Sequence, residues 1–124
     1  MKYLCLIYYD EKTMENMSKG EWDRICEAAL VYEDELRANG HLIAAQALQP
    51  VQTATTLRVR SGKVSMTDGP FAETKEQLGG IFLIRARDLN EAIQVASRIP
   101  PAVLGSVEVR PIRELTADSS VQAM

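Results

Sequence analysis

The run Lys2-Tyr3-Leu4-Cys5-Leu6-Ile7-Tyr8-Tyr9 decides the fold predicted for this chain. Its aromatic and aliphatic side chains predict a β-strand, and successive residues of a strand point to opposite faces of a sheet. Apolar residues occupy both sets of alternate positions, so both faces of this strand have to be covered. The rest of the chain must therefore supply a cover for each face.

A long amphipathic helix is predicted after the first strand. Ser18-Lys19-Gly20-Glu21 is a capping box, in which the hydroxyl and the carboxylate satisfy free backbone N–H groups. Asn39-Gly40 ends the helix, and residues 41–48 return as a strand that Pro50 interrupts. The apolar positions recur at helical spacing: Trp22, Ile25, Cys26, Ala29, Tyr32 and Leu36.

The middle of the chain predicts a β-hairpin. Residues 53–60 alternate with period two, and residues 64–67 run back after the tight turn Ser61-Gly62-Lys63. Asp68-Gly69-Pro70-Phe71 then provides a second turn, since Pro fixes its own φ and Gly supplies conformational freedom. The hairpin therefore separates the first strand and helix from the last third of the chain.

That last third repeats the opening pattern. Residues 72–78 are expected to form a short helical turn that Gly79-Gly80 ends. A strand over residues 81–84, apolar at every position, precedes a helix capped by Asp88 and a final strand over residues 106–110. The chain thus contains two strand–helix–strand units with a hairpin between them.

These two units predict an α+β fold, a ferredoxin-like split βαβ sandwich with an antiparallel sheet over residues 1–115. Residues 116–124 are small and polar and are predicted to be a flexible tail. The two helices can cover only one face of the sheet. We expect the same face of a second copy to cover the other, giving a homodimer that forms a dimeric α/β barrel. Loops folded over the sheet are the alternative.

Composition excludes several classes of function. With 124 residues the chain forms one domain, and its 14 basic and 17 acidic residues give a net charge of −3, without the basic patch of a nucleic-acid or membrane-surface binder. Cys5 and Cys26 are too few for a disulfide scaffold or a structural zinc site. We expect buried free thiols, a cytoplasmic location, and neither a cofactor nor a metal. Gly79-Gly80 is not a phosphate loop, because it precedes a strand instead of a helix.

One run of the sequence resembles a known family: Met66-Thr67-Asp68-Gly69-Pro70-Phe71-Ala72-Glu73-Thr74-Lys75-Glu76-Gln77-Leu78-Gly79-Gly80 is similar to the DGPF family of the YCII-related superfamily. The resemblance implies a dimeric ferredoxin-like α/β barrel and no generally established activity. Members are often encoded beside extracytoplasmic-function sigma factors, which implies a regulatory setting. Further matches stand at residues 1–3, 47–50, 86–89 and 105–111.

Some more distant YCII-like proteins are thought to be enzymes that use a His–Asp pair, with the His on the first helix. The single His of this chain, His41, stands at the start of the strand that follows the helix. The resemblance therefore does not carry that pair of residues over to this sequence.

The DGPF run supplies the candidate catalytic residues. Asp68, at a strand end beside a Gly-Pro turn, is predicted to act as a general base or ligand anchor, with Glu73 as a second acid. Glu73 and Glu76 would share a face of a helical turn, and two close carboxylates can separate their pKa values into an acid and a base. The alternatives are an Asx-turn acceptor at Asp68 and solvated glutamates.

Further residues complete a predicted ligand site. His41 can titrate near neutrality, and Tyr8 or Tyr9 can donate a hydrogen bond from the end of the first strand. We expect Tyr8, His41, Phe71 and Glu76 to bind a small molecule in a cavity between sheet and helices, with the DGPF run at its mouth. The hypothesis is a small-molecule-binding barrel, with cofactor-free acid–base catalysis as one form of it. The alternative is a non-catalytic regulatory or protein-interaction module in sigma-factor signalling.

Overall fold

Every strand and helix that the sequence predicts with a clear period is present in the computed structural model, apart from the turn over residues 72–78. The structure describes residues 1–117 and 121–122, the last two without their side chains. Its strands and helices are β1 Lys2–Tyr9, α1 Glu11–Glu15, α2 Lys19–Ala38, β2 Leu42–Ala47, β3 Thr55–Arg60, β4 Lys63–Asp68, β5 Gln77–Arg85, α3 Leu89–Ala96, β6 Gly105–Pro111, β7 Glu114–Leu115 and β8 Val121–Gln122, with 3₁₀ turns at Val51–Thr53 and Pro100–Leu104.

The main sheet has four strands in the order β2-β5-β1-β6, and all neighbouring strands are antiparallel. Each strand–helix–strand unit contributes two parallel strands that are separated by one strand of the other unit. In the centre, Cys5 of β1 lies opposite Phe82 of β5 on one side and Val109 of β6 on the other. This arrangement is ferredoxin-like and confirms the predicted α+β fold class.

Both main helices begin at the predicted caps. The Ser18 hydroxyl accepts a hydrogen bond from the Glu21 N–H at 3.1 Å, and the Asp88 carboxylate accepts one from the Glu91 N–H at 2.9 Å. The helices are tied together where the Tyr32 hydroxyl donates to a backbone carbonyl of α3 at 2.6 Å. Within the described part of the chain, no helix is both long and apolar enough to cross a membrane.

The two faces of the sheet are covered to different extents. On β1, Tyr3, Cys5, Ile7 and Tyr9 are buried beneath the helices, whereas the alternate residues are half-buried on the opposite side. We call this opposite side the open face. Its apolar residues are Leu4, Leu6 and Tyr8 of β1 and their cross-strand neighbours Leu78, Ile81 and Leu83 of β5.

The hairpin forms a sheet of its own. Its two-residue turn has positive φ at Ser61 (51°) and Gly62 (74°), the geometry that suits the twist of antiparallel strands. One face of the hairpin is apolar and exposed, with 58–73% of each side chain accessible, and consists of Leu57, Val59, Val64 and Met66.

The expected helical turn over residues 72–78 is wrong. Strand β5 already begins at Gln77 and continues through Gly79 and Gly80, which are both buried. Side-chain hydrogen bonds hold the preceding loop: the Gln77 amide donates to the Thr74 carbonyl at 2.6 Å and accepts from the Glu11 N–H at 2.9 Å. The polar residues that suggested the exposed side of a helix therefore form a loop, and Gln77 ties this loop to Glu11, which is distant in the sequence.

The predicted tail falls partly outside the described residues, namely at positions 118–120 and 123–124. Within the described part, Val121–Gln122 pairs with Glu114–Leu115 in a short antiparallel ladder. The boundary at residue 115 stays a prediction.

Candidate functional site

The DGPF run begins in the last three residues of β4 and continues into the start of β5. Asp68 is exposed and lies opposite Thr55 of β3, and Gly69 adopts a φ of +104°. The Gly69 N–H donates to the Ala54 carbonyl at 2.8 Å, and the Thr56 hydroxyl donates to the Gly69 carbonyl at 2.8 Å. Within the described residues the Asp68 carboxylate accepts no hydrogen bond, so backbone contacts of Gly69, and not an Asx turn, fix this loop.

Two other residues of this loop, Phe71 and Glu73, are exposed to solvent. Phe71 is 78% exposed, and the Arg58 guanidinium lies 5.6 Å from the centre of its ring. Glu73 is exposed and has no ion-pair partner among the described residues. Because no helix forms here, the helical face that would join Glu73 and Glu76 is absent.

Tyr8 and Glu76 lie together in a shallow groove at one end of the open face, beside Ser106 of β6. The Ser106 hydroxyl donates to the Glu76 carboxylate at 2.8 Å. These two predicted ligand-binding residues are therefore neighbours, although not in an enclosed cavity.

His41 lies elsewhere. Its Nδ1 is 2.7 Å from the carbonyl oxygen of Arg85, at the end of β5 opposite to Glu76. At about 3.3 Å per residue, the length of β5 separates the two ends by roughly 26 Å. His41 thus does not join Asp68, Glu73 or Glu76 in one site. The part of the chain that the structure describes contains no group of three or more His, Cys, Asp or Glu residues placed to hold a metal ion.

A cleft of about 360 Å³ lies between α2 and the sheet, on the side where β2 forms the edge. It is between sheet and helix, as predicted for a ligand cavity, but Gly79 and Gly80 are the only residues of the DGPF run among its described lining. Small residues make the space, because Ala29 of α2 faces Ala45, Ala47, Gly79 and Gly80 of the strands. The larger residues that line it are Ile7, Tyr9, Trp22, Cys26, Leu30, Glu33, Gln46, Phe82 and Pro101.

Tyr9 is held in this cleft by a glycine. A Cβ atom at Gly79 would lie 2.2–2.6 Å from the ring and hydroxyl of Tyr9, so only glycine allows the ring to lie there. The ring also packs against Trp22, with 5.8 Å between centroids and 60° between planes. Gly79 therefore makes room for an aromatic wall and does not end a helix as the sequence suggested.

The Tyr9 hydroxyl has no hydrogen-bond partner among the described residues, although the side chain is only 7% exposed. No fully buried side-chain oxygen or nitrogen in the described part of the chain lacks a partner, so this hydroxyl keeps contact with the open space of the cleft. Burial raises the pKa of Tyr9, and the Glu11 carboxylate raises it further, as does the Cys26 thiolate once that thiol has ionised at high pH. At neutral pH the group is a phenol that can donate or accept.

Two more polar groups belong to the α2 wall. Burial raises the pKa of the Cys26 thiol, and the Asp23 carboxylate adds to the shift, so the thiol is neutral at pH 7. Glu33 is half-buried, and its carboxylate has no ion pair or hydrogen bond with any described residue. The cleft thus offers a phenol, a thiol and a free carboxylate on an apolar wall.

Sequence reasoning misses most of this cleft. Between the two tyrosines at the end of β1, parity puts Tyr9 in the cleft and Tyr8 on the open face. Helical spacing places Trp22 and Cys26 on the apolar stripe of the helix and gives them no functional role. One feature of the sequence indicates the cleft. Glu33 follows Cys26 and Ala29 at helical spacing, so it puts a charged side chain on an otherwise apolar face of the helix.

Comparison with known proteins covers nearly the whole chain. Residues 1–116 match the family described as the YCII-related domain. An uncharacterised protein of Rhizobium meliloti (strain 1021) is 39% identical over 114 residues, which is 90% of this chain and 92% of that protein. The family match spans β1 to β6, and therefore includes the complete main sheet, the hairpin and the cleft. The chain belongs to the YCII-related domain family.

Proposed function

We propose that this protein binds a small apolar molecule in the cleft between α2 and the sheet, and that it does so as a homodimer. The observation that carries the proposal is the Tyr9 hydroxyl, which belongs to a buried side chain and faces the cleft without a partner among the described residues. The hydroxyl is reached from the cleft, so a ligand bound there would take the place of solvent as its hydrogen-bond partner.

The size and lining of the cleft suit a small ligand. Binding sites for small molecules are typically clefts of roughly 300–1,000 Å³ with apolar walls and a few polar groups. The volume of about 360 Å³ lies at the lower end of that range. Because the thiol and the phenol are both neutral at pH 7, the cleft itself favours binding over nucleophilic catalysis.

Catalysis by Asp68 and Glu73 stays a prediction. Both carboxylates are exposed and neither lines the cleft. An acid–base role would require a second copy to enclose them, since a general base has to reach a bound substrate. The DGPF run itself supports assignment to the DGPF subfamily.

The open face and the hairpin support the homodimer. The open face carries six half-buried apolar residues at the centre of the sheet. The hairpin is a two-stranded sheet, which is marginally stable alone in water, and its exposed side chains give it a further apolar face. Isologous packing of two open faces would cover the central apolar patch with like side chains. The two free thiols support the predicted reducing, cytoplasmic compartment.

Tryptophan fluorescence tests the binding proposal, because Trp22 is the single tryptophan of the chain and lines the cleft. A neutral aromatic alcohol, phenylbutanol, is titrated into the protein. Ala29→Leu fills the cleft from the helix side and should weaken binding at least tenfold. Ala28→Leu is the matched control, since it adds the same side chain at an exposed position of the same helix.

Saturable quenching that Ala29→Leu removes and Ala28→Leu retains would support the site. Absence of any saturable change in the wild-type protein would overturn it. That outcome would favour the alternative function, a non-catalytic regulatory or protein-interaction module.

A further inference from the structure

We propose that the ligand of the α2 cleft is an apolar amine, whose ammonium group pairs with Glu33. This inference rests on the proposed function, because it names the chemical class that the same cleft selects.

Glu33 is the one acidic residue of α2 that is both half-buried and without a cation among the described residues, since Glu21 and Glu27 also lack a cation but are exposed. Asp23 pairs with Lys19 at 2.8 Å, Asp34 with Arg37 at 3.1 Å, and Glu35 with Arg98 at 3.0 Å. Glu33 faces the cleft, is half-buried, and has no such cation among the described residues. A partly desolvated carboxylate without a partner favours a cation in the adjacent space.

The rest of the cleft strengthens this selection. No Lys, Arg or His is among the described residues that line it, so the Glu33 carboxylate has no cation beside it in the cleft. A lone carboxylate in the wall attracts cations and repels carboxylates. An anionic ligand would meet a like charge without compensation.

The position of Glu33 fixes the form of the ligand. Tyr9 and Trp22 form the aromatic wall near the start of α2, and Glu33 is 11 residues further along the helix than Trp22, about 16 Å at 1.5 Å per residue. Helical side chains lean toward the N-terminus, so the Glu33 carboxylate reaches back over Leu30 and Ala29. A ligand whose aromatic or aliphatic part fills the middle of the cleft would thus place its amine beside Glu33.

The test compares three probes of matched size: phenylbutylamine, phenylbutanol and phenylbutyrate. Each is titrated at neutral pH and low salt, with Trp22 fluorescence as the readout. The amine should bind about five- to tenfold more tightly than the alcohol, as expected for a half-buried ion pair, and the carboxylate should bind most weakly. Added salt should reduce the preference for the amine.

Glu33→Gln keeps the shape of the side chain and removes its charge, so the amine should lose its advantage and bind no more tightly than the alcohol. Glu27→Gln is the control, because it removes the same charge from an exposed position on α2. Binding of the alcohol without tighter binding of the amine would overturn this inference alone. An amine preference that survives Glu33→Gln would do the same. If neither the amine nor the alcohol binds, both this inference and the proposed function are overturned.

Discussion

On the helix-covered face of β1, Tyr3, Cys5 and Ile7 are at most 4% exposed, whereas Leu4 and Leu6 on the open face of the same strand are only half-buried. At the centre of the covered face, burial raises the pKa of Cys5 to about 11. Both sets of side chains are apolar, so hydrophobicity alone does not separate them. The difference arises from what packs against each face, which is α2 and α3 on one side and no described segment with a comparable apolar surface on the other.

The largest effect is expected on the covered face. Ile84 of β5 is fully buried, and Ile84→Ala should lower the free energy of unfolding by about 3 kcal/mol, since it leaves a cavity in the core. Urea denaturation measures this loss, which should not depend on protein concentration. Leu83→Ala, one residue earlier on the open face, is the control and should cost less at low protein concentration. Equal losses in dilute protein would contradict the comparison.

A charge on the open face tests whether a second copy covers it. Leu83→Lys should raise the dissociation constant of the dimer about hundredfold, equivalent to about 2.7 kcal/mol, because an unpaired ammonium would be buried at the interface. Sedimentation velocity over a range of concentrations measures the constant. Val31→Lys adds the same charge at a site of α2 that is 69% exposed and should leave the dimer intact. A wild-type protein that stays monomeric at every concentration would refute the homodimer.

A smaller effect is expected where the cleft interrupts the covered face. Gly79→Ala should lower the free energy of unfolding by about 2 kcal/mol, because the added methyl group collides with the Tyr9 ring. The shift of Tyr9 against Trp22 should also change the tryptophan emission. Gly20→Ala is the control at an open position in the first turn of α2, where alanine should stabilise the helix by less than about 1 kcal/mol. If Gly79→Ala leaves the free energy of unfolding unchanged, Tyr9 is not held by its contact with Gly79.

Local signals predict most of the fold. The capping residues Ser18 and Asp88 mark the starts of both main helices, and the hairpin turn follows from Ser61-Gly62. These features depend on contacts within a few residues, so the sequence displays them directly. The loop before β5 is not predicted from local signals, because Gln77 bonds to Glu11, 66 residues away. A pattern within a few residues does not indicate a contact at such a separation.

The candidate site is less predictable for the same reason. Tyr8 and Tyr9 are adjacent and chemically alike, yet parity places one on the open face and the other in the cleft. The predicted set of Asp68, Glu73 and His41 does not converge, since His41 lies at the end of β5 opposite to the DGPF run. Distances between elements depend on the sheet order, which the spacing of residues along the chain does not reveal.

The sequence by itself determined the four strands of the main sheet, the hairpin and the two main helices, and it determined that β1 has two apolar faces, because periodicity and capping are local properties. Only the tertiary structure decided which face the helices cover and where the covering is incomplete. The cleft exists because Ala29, Ala45 and Gly79, from three separate elements, meet where larger side chains would have closed the space. Such a coincidence of small residues depends on long-range packing, and it becomes visible only when the elements are assembled.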